Sequence, residues 1–240
     1  MIDNVHLVPE FLGKVLLNPT PTSVEDNGTE SGNLTYRYAG LLPATNGRAF
    51  MVFWTLPISA QDIWWHPQDQ YGFPGSTILH TGIVAAAAEA PSTLPEAYVF
   101  SLAPLQMSTT NPAARIWDAN GNLLFDSGKL HLALQQVLSG AAMQNTESNL
   151  SMSSLPAKPA FLFPHVGRHK ELHEKRADDA RVTSWLGCYR RRTANILTSR
   201  MVKVFDRDLP ARQSNGYFED QVYGNTSGLV LPVLNAALYD

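Results

Sequence analysis

The chain has 240 residues, of which 44% are hydrophobic and 16% charged, with 16 glycines and 16 prolines. That length allows one or two domains with a core that needs no staples. Charge well below the usual ~25%, combined with abundant Gly and Pro, excludes a coiled coil, a helical bundle and intrinsic disorder. Eighteen basic and 21 acidic residues give a net charge of -3, so no global basic field recruits nucleic acid. One cysteine, Cys188, excludes an internal disulfide and a cysteine-based zinc site within one chain, and fits a reducing compartment. The longest apolar run, 83–88, falls far short of the ~20 residues of a membrane span, so no membrane insertion is expected. Met1-Ile2-Asp3-Asn4 lacks the basic start of a classical signal peptide.

In chain order, a short apolar opening, Phe11 to Leu17, is broken by Asn18-Pro19-Thr20-Pro21 and followed by polar residues to Asn33. Two prolines with Asn, Gly and Ser predict an extended arm or loop. Asn46-Gly47 introduces Ala49 to Leu56, an aromatic and β-branched run that reads as a buried strand. Ser76–Val84 and Tyr98–Leu102 are further strand candidates. Ala114 to Ser127 is a hairpin around Asn120-Gly121, the dipeptide preferred in type I′ turns. Leu130 to Val137 alternates, Gly140–Ser154 is expected to be a loop, and Pro159–Pro164 is a short strand. His165 to Asp179 is polar with helical potential. Arg181–Tyr189 and Asn195–Phe205 pair as a second hairpin.

About nine short strands at roughly 8–12-residue spacing predict an all-β chain, a β-sandwich or jelly roll with extended N- and C-terminal arms. The expected organisation is an arm or loop over 1–45, a sandwich over 46–215 with a charged insertion near 165–180, and a C-terminal arm over 216–240. Phe53, Ile116, Phe125, Leu132 and Leu134 are the expected core of the central part. In the tail, Leu229, Leu231 and Leu234 are apolar, yet Pro232 argues against a central strand. The run is expected to pack on another subunit, as a homotrimer arm or against another protein, or else to fold back as an edge strand.

Charge is uneven, with twelve basic and six acidic residues between Arg168 and Arg212. Within it, Arg190, Arg191 and Arg192 follow Tyr189 and can grip phosphate or carboxylate, or simply form a solvated hairpin tip. Trp64 and Trp65, with Tyr71 and Phe73, read as an aromatic loop that fills the core, anchors a subunit or stacks on a sugar. His165, His169 and His173 would share one face of a helix and could hold a metal, or belong to an exposed charged loop. Asp118 to Asn122 looks superficially like a calcium loop without its later glutamate, and the turn accounts for it. No nucleophile elbow and no phosphate-cradling glycine motif occurs. The residues therefore point to no enzymatic activity, cofactor or catalytic set.

The core of the first hairpin, Ile116-Trp117-Asp118-Ala119-Asn120-Gly121-Asn122-Leu123-Leu124-Phe125-Asp126-Ser127, resembles a motif of small virion proteins of tailed bacteriophages. The strand pattern Asn195 to Met201 is compatible with the same proteins. The resemblance implies a structural component of the tail tip, baseplate or fibre region, acting by assembly with other virion tail proteins and as a homo-oligomer, with a trimer favoured. It implies location in the virion after assembly in the host cytoplasm. The alternative expectation is a module that recognises host surface glycans through Trp64 and Trp65.

Overall fold

The structure is a computed structural model that describes residues 8–26, 34–59, 63–67, 71–72, 76–85, 90–102, 107–109, 114–144, 146–151, 155–163, 168–176, 179–210, 221–223 and 228–240. The chain is all-β, built on two large antiparallel sheets. The first runs edge to edge through β1 (Glu10–Leu16), β8 (Glu96–Ser101), β4 (Phe50–Thr55), β13 (Pro159–Phe161), β18 (Leu229–Asn235) and β11 (Leu134–Gly140), with β6 (Tyr71–Gly72) beside β4. The second runs through β12 (Ser148–Ser151), β16 (Ile196–Pro210), β15 (Asp179–Thr193), β5 (Ile63–Pro67), β7 (Ile78–Ala85), β3 (Leu34–Leu41) and β2 (Ser23–Asp26). β14 (Arg168–Arg176) pairs the outer half of β15, and β17 (Gln221–Tyr223) pairs β14. β9 (Arg115–Trp117) and β10 (Leu123–Asp126) form a separate two-stranded sheet.

The two large sheets face each other across one core, which makes the fold a sandwich. Val15, Val52, Trp54, Val99, Phe161 and Leu231 of the first sheet meet Tyr38, Trp65, Leu79, Tyr189 and Leu197 of the second. Each fully buried large side chain contributes about 1.5–3 kcal/mol of apolar transfer energy. The far face of the first sheet is covered as well. Phe53, Tyr98, Phe100 and Leu234 pack under Phe11, Leu132, Ala236 and Tyr239, and Tyr239 meets Phe100 edge-on with centroids 5.1 Å apart. Burial on both faces explains why β4 and β8 are continuous apolar runs without alternation.

Several expectations fail here for identifiable reasons. The N-terminal stretch is not a free arm: its described residues supply β1 to the first sheet and β2 and β3 to the second. Gly40 lets these sheets approach, because a Cβ there would lie 2.5 Å from Val15 Cγ1 and 2.9 Å from the Leu16 carbonyl oxygen. The described part of the C-terminal run is not an arm either. β18 lies between β13 and β11, with Leu229, Leu231 and Leu234 buried. Pro232 is tolerated inside this sheet because β13 ends at Phe161, opposite Val233; beyond it the Leu162 N–H donates to the Pro232 carbonyl at 3.0 Å. Of the expected core, Phe53 is buried, Phe125 and Leu132 are half-buried, and Ile116 and Leu134 are exposed.

The two Asn-Gly dipeptides take different turns. Asn46 and Gly47 both have positive φ, 49° and 72°, and Arg48 N–H closes the turn on the Thr45 carbonyl, so the type I′ turn is this one. At the hairpin only Gly121 has positive φ, 83°. Gly121 N–H bonds the Asp118 carbonyl at 3.1 Å and Asp118 N–H bonds the Asn122 carbonyl at 2.9 Å. That is the three-residue loop with a left-handed closing residue, in place of the expected type I′ turn.

Candidate functional site

Two places bring chemistry-bearing residues together. The first is the far face of the second sheet near the β15–β16 turn. Trp64, Cys188, Val202 and Val204 form a buried apolar cluster there. Arg190 and Arg200 lie over the Trp64 indole, their guanidinium carbons 4.6 and 4.4 Å from a ring centroid. Glu147, just before β12, draws these charges together. It pairs with Arg190 at 3.3 Å and with Arg200 at 3.9 Å, and Arg192 also bonds it. Three guanidiniums surround this one carboxylate, with Arg192 outermost on an exposed side chain. Such a rim can accept a carboxylate or phosphate, whereas Arg190 itself is buried and committed to Trp64 and Glu147.

Arg191 does not join this cluster, because strand alternation turns it away from Arg190 and Arg192. Its guanidinium donates to the carbonyls of Leu56 and Ala194 at 3.5 and 3.3 Å. Burial lowers its pKa. Burial also pushes the Cys188 thiol far up, so it is an inert core group.

Trp64 and Trp65 are not an exposed loop. They occupy β5, between β15 and β7, and both are buried, Trp65 in the inter-sheet core and Trp64 on the far face. Tyr71 lies in β6 opposite Met51; its side chain, like Phe73, lies outside the described residues. His169 and His173 fall in β14, not in a helix, so about 13 Å of strand separates them at ~3.3 Å per residue. His165 lies outside the described residues. Among the described residues no group of three or more His, Cys, Asp and Glu could hold a metal, and no helix is long and apolar enough to cross a membrane.

The second place is the β9–β10 hairpin. Its base is fixed by Asp126, whose carboxylate is fully buried. It accepts from Ser108 N–H at 2.9 Å, Gly128 N–H at 2.8 Å, Arg115 Nε at 3.2 Å and the Ser108 hydroxyl at 3.2 Å. Burial raises the carboxyl pKa, but these donors outweigh it and hold it at about 2. At the tip Asp118 Oδ1 accepts from Asn120 and Asn122 N–H, both at 2.8 Å. Between base and tip, Ile116 and Trp117 are 40% and 48% exposed. The hairpin is thus anchored at both ends and presents two large apolar side chains to solvent.

Glu147 and Asp126 are the two organising carboxylates that sequence reasoning missed. Glu147 stands 43 residues from Arg190 in sequence, so only the fold brings them together. Asp126 closes the Phe-Asp-Ser of the hairpin motif, and its position after the apolar pair was the available signal. Comparison with protein-family models, with curated proteins and with solved structures finds no match.

Proposed function

We propose that this chain is a structural component of a bacteriophage tail, in the tip, baseplate or fibre-associated region, and that it acts by protein–protein assembly. The observation that carries this reading is the β9–β10 hairpin. The segment that resembles tail proteins is the one that stands as its own small sheet, fixed by Asp126, with Ile116 and Trp117 exposed. A pinned element presenting a large aromatic is suited to docking, because little ordering entropy is left to lose on contact. The sandwich behind it offers a rigid support. The glycan-binding alternative loses the rings it relied on, since Trp64 and Trp65 are buried.

Mass spectrometry of purified particles, from the phage whose genome encodes the chain, tests the proposal. The chain is expected in stoichiometric amount in tails, and incorporation of an I116A/W117A variant is expected to fall at least tenfold with folding unchanged. Absence from complete tailed particles overturns the reading. Binding of the purified protein to a host-glycan array, lost in W117A, would favour the glycan module.

A further inference from the structure

Of the four Asn-Gly dipeptides in the chain, Asn46-Gly47 and Asn120-Gly121 are the two that lie among the described residues. Asparagine is a chemically labile residue, because the amide nitrogen of the residue after it can attack its side-chain carbonyl carbon. A glycine in that place puts no Cβ in the way. Sequence alone therefore ranks the two sites equally. Exposure and space do not separate them either. All four residues are exposed, and a Cβ added at Gly47 or at Gly121 would meet nothing within 4 Å.

Hydrogen bonding does separate them. Gly121 N–H donates to the Asp118 carbonyl at 3.1 Å. On either side of it the N–H groups of Asn120 and Asn122 are held by Asp118 Oδ1, both at 2.8 Å. The nitrogen that would attack in this loop is thus a committed donor in a backbone fixed at both neighbours. In the type I′ turn the closing bond belongs to the residue after the glycine, here Arg48 N–H on the Thr45 carbonyl at 3.0 Å. Gly47 N–H and the Asn46 side chain have no hydrogen-bond partner among the described residues. Nucleophile and target are both uncommitted there, on adjacent residues in contact with solvent.

We infer that Asn46 is a site of spontaneous covalent modification in the native protein, and that the Asp118 loop protects Asn120 from the same reaction. The Gly47 nitrogen gives its proton to solvent base and attacks Asn46 Cγ. The new C–N bond closes a cyclic imide, and the side-chain nitrogen leaves as ammonia with a proton from solvent. Water then opens the imide at one or other carbonyl, which leaves aspartate or isoaspartate at position 46. One water is consumed for each ammonia released, and nothing is oxidised or reduced. The product places a negative charge two residues before Arg48, whose guanidinium donates to the Thr45 carbonyl and to the buried Glu10 carboxylate, both at 3.1 Å. Isoaspartate also lengthens the backbone inside the span that Thr45 and Arg48 close. Both changes weaken the hold of Arg48 on Glu10. The inference does not rest on the tail assignment.

Incubation of the full chain at pH 8, followed by peptide mapping with mass spectrometry, tests it. The hydrogen bond that Gly121 must release corresponds to a factor of about five in rate, so Asn46 should convert about fivefold faster than Asn120, or more, in the native protein. In urea both turns are lost and the two rates should converge. D118A removes the carboxylate that fixes the loop, and should raise the Asn120 rate while leaving that of Asn46 unchanged. Asn120 converting as fast as Asn46 in the native protein overturns the inference. So does an intact Asn46 in native protein when both sites convert in urea, or a D118A variant with no gain at Asn120.

Discussion

The Tyr98 hydroxyl donates to the Asp240 carboxylate at 2.7 Å, joining residues 142 positions apart. Lys14 and Lys158 bridge the same carboxylate to Glu96, at 3.0 and 2.7 Å on the Asp240 side and 2.7 and 2.5 Å on the Glu96 side. Two cations and two carboxylates thus surround a phenol that is itself fully buried. Burial raises the Asp240 pKa, but the bonds from Lys158, Tyr98 and Lys14 outweigh it and hold the group far below its ordinary value. Burial, with its bond to Asp240, pushes Tyr98 far up. Tyr98→Phe should cost about 2 kcal/mol, the value of a hydrogen bond to a charged group. A depressed carboxylate contributes stability above its unfolded pKa and loses it as pH falls toward the folded one. Urea unfolding from pH 5 downward should therefore show stability declining from about pH 4, with a shallower decline in Asp240→Asn.

Gly121 is held at φ 83° with open space around the position a Cβ would take. Steric clash with neighbours is therefore absent, and any cost of substitution comes from the backbone alone. Gly121→Val should destabilise by about 1–3 kcal/mol, and Gly121→Asn by much less, because Asn tolerates the left-handed region. Thermal melts of the two variants check the ordering; equal melting temperatures would contradict the turn.

The sequence made the strands legible where local chemistry alone decides them. Ala49 to Leu56 and Tyr98 to Leu102 were visible as apolar runs ended by proline. The Arg181–Phe205 hairpin was visible too, although both strands reach 15 residues. What local pattern could not supply was the other side of each contact. Trp64-Trp65 reads as a loop because alternation vanishes when both faces of a strand are covered. Leu229 to Leu234 reads as an arm because Pro232 argues against a central strand, and no local pattern announces that β13 stops at Phe161, opposite Val233. His169 and His173 share a face at a spacing of four in either a helix or a strand, and pairing with β15 decides for the strand. The Arg190–Arg200–Glu147 cluster joins three separate segments, and no spacing announces it.

Trp64 supports that cluster, and its loss should act twice. Truncation to Ala removes a buried indole, worth about 3–5 kcal/mol with the cavity left behind, and strips the ring from under two guanidiniums. Arg200→Lys keeps the charge but gives up the planar stack, and should cost about 1 kcal/mol. Cys188 provides the readout, because it is fully buried beside Trp64. A thiol reagent at pH 8 should leave native protein unmodified and react only through unfolding. The labelling rate should rise modestly in Arg200→Lys and steeply in Trp64→Ala. Rapid labelling of the native wild type would mean that the cluster opens without unfolding.

Asp126 controls the hairpin through its ionised form, so the hairpin should come loose in acid before the sandwich does. Its pKa is held at about 2, below the ordinary 3.8. The sign follows from that direction. The stabilisation is complete above pH 4 and disappears as pH falls through about 2. Protonation replaces an acceptor of four hydrogen bonds with a group that accepts poorly and carries no charge for Arg115. The expected event is local, because β9 and β10 pair with each other and with no strand of the large sheets. The Trp117 indole resonance should therefore move toward its unfolded position between pH 4 and 2, while the resonance of buried Trp54 stays in place. Asp126→Asn should show the loosened Trp117 signal already at pH 7 and no further acid transition there. Ser108→Ala, which removes one of the four donors and leaves the charge, should raise the midpoint of the transition without abolishing it. A Trp117 signal that follows Trp54 through a single transition would instead make the hairpin part of the sandwich's cooperative unit.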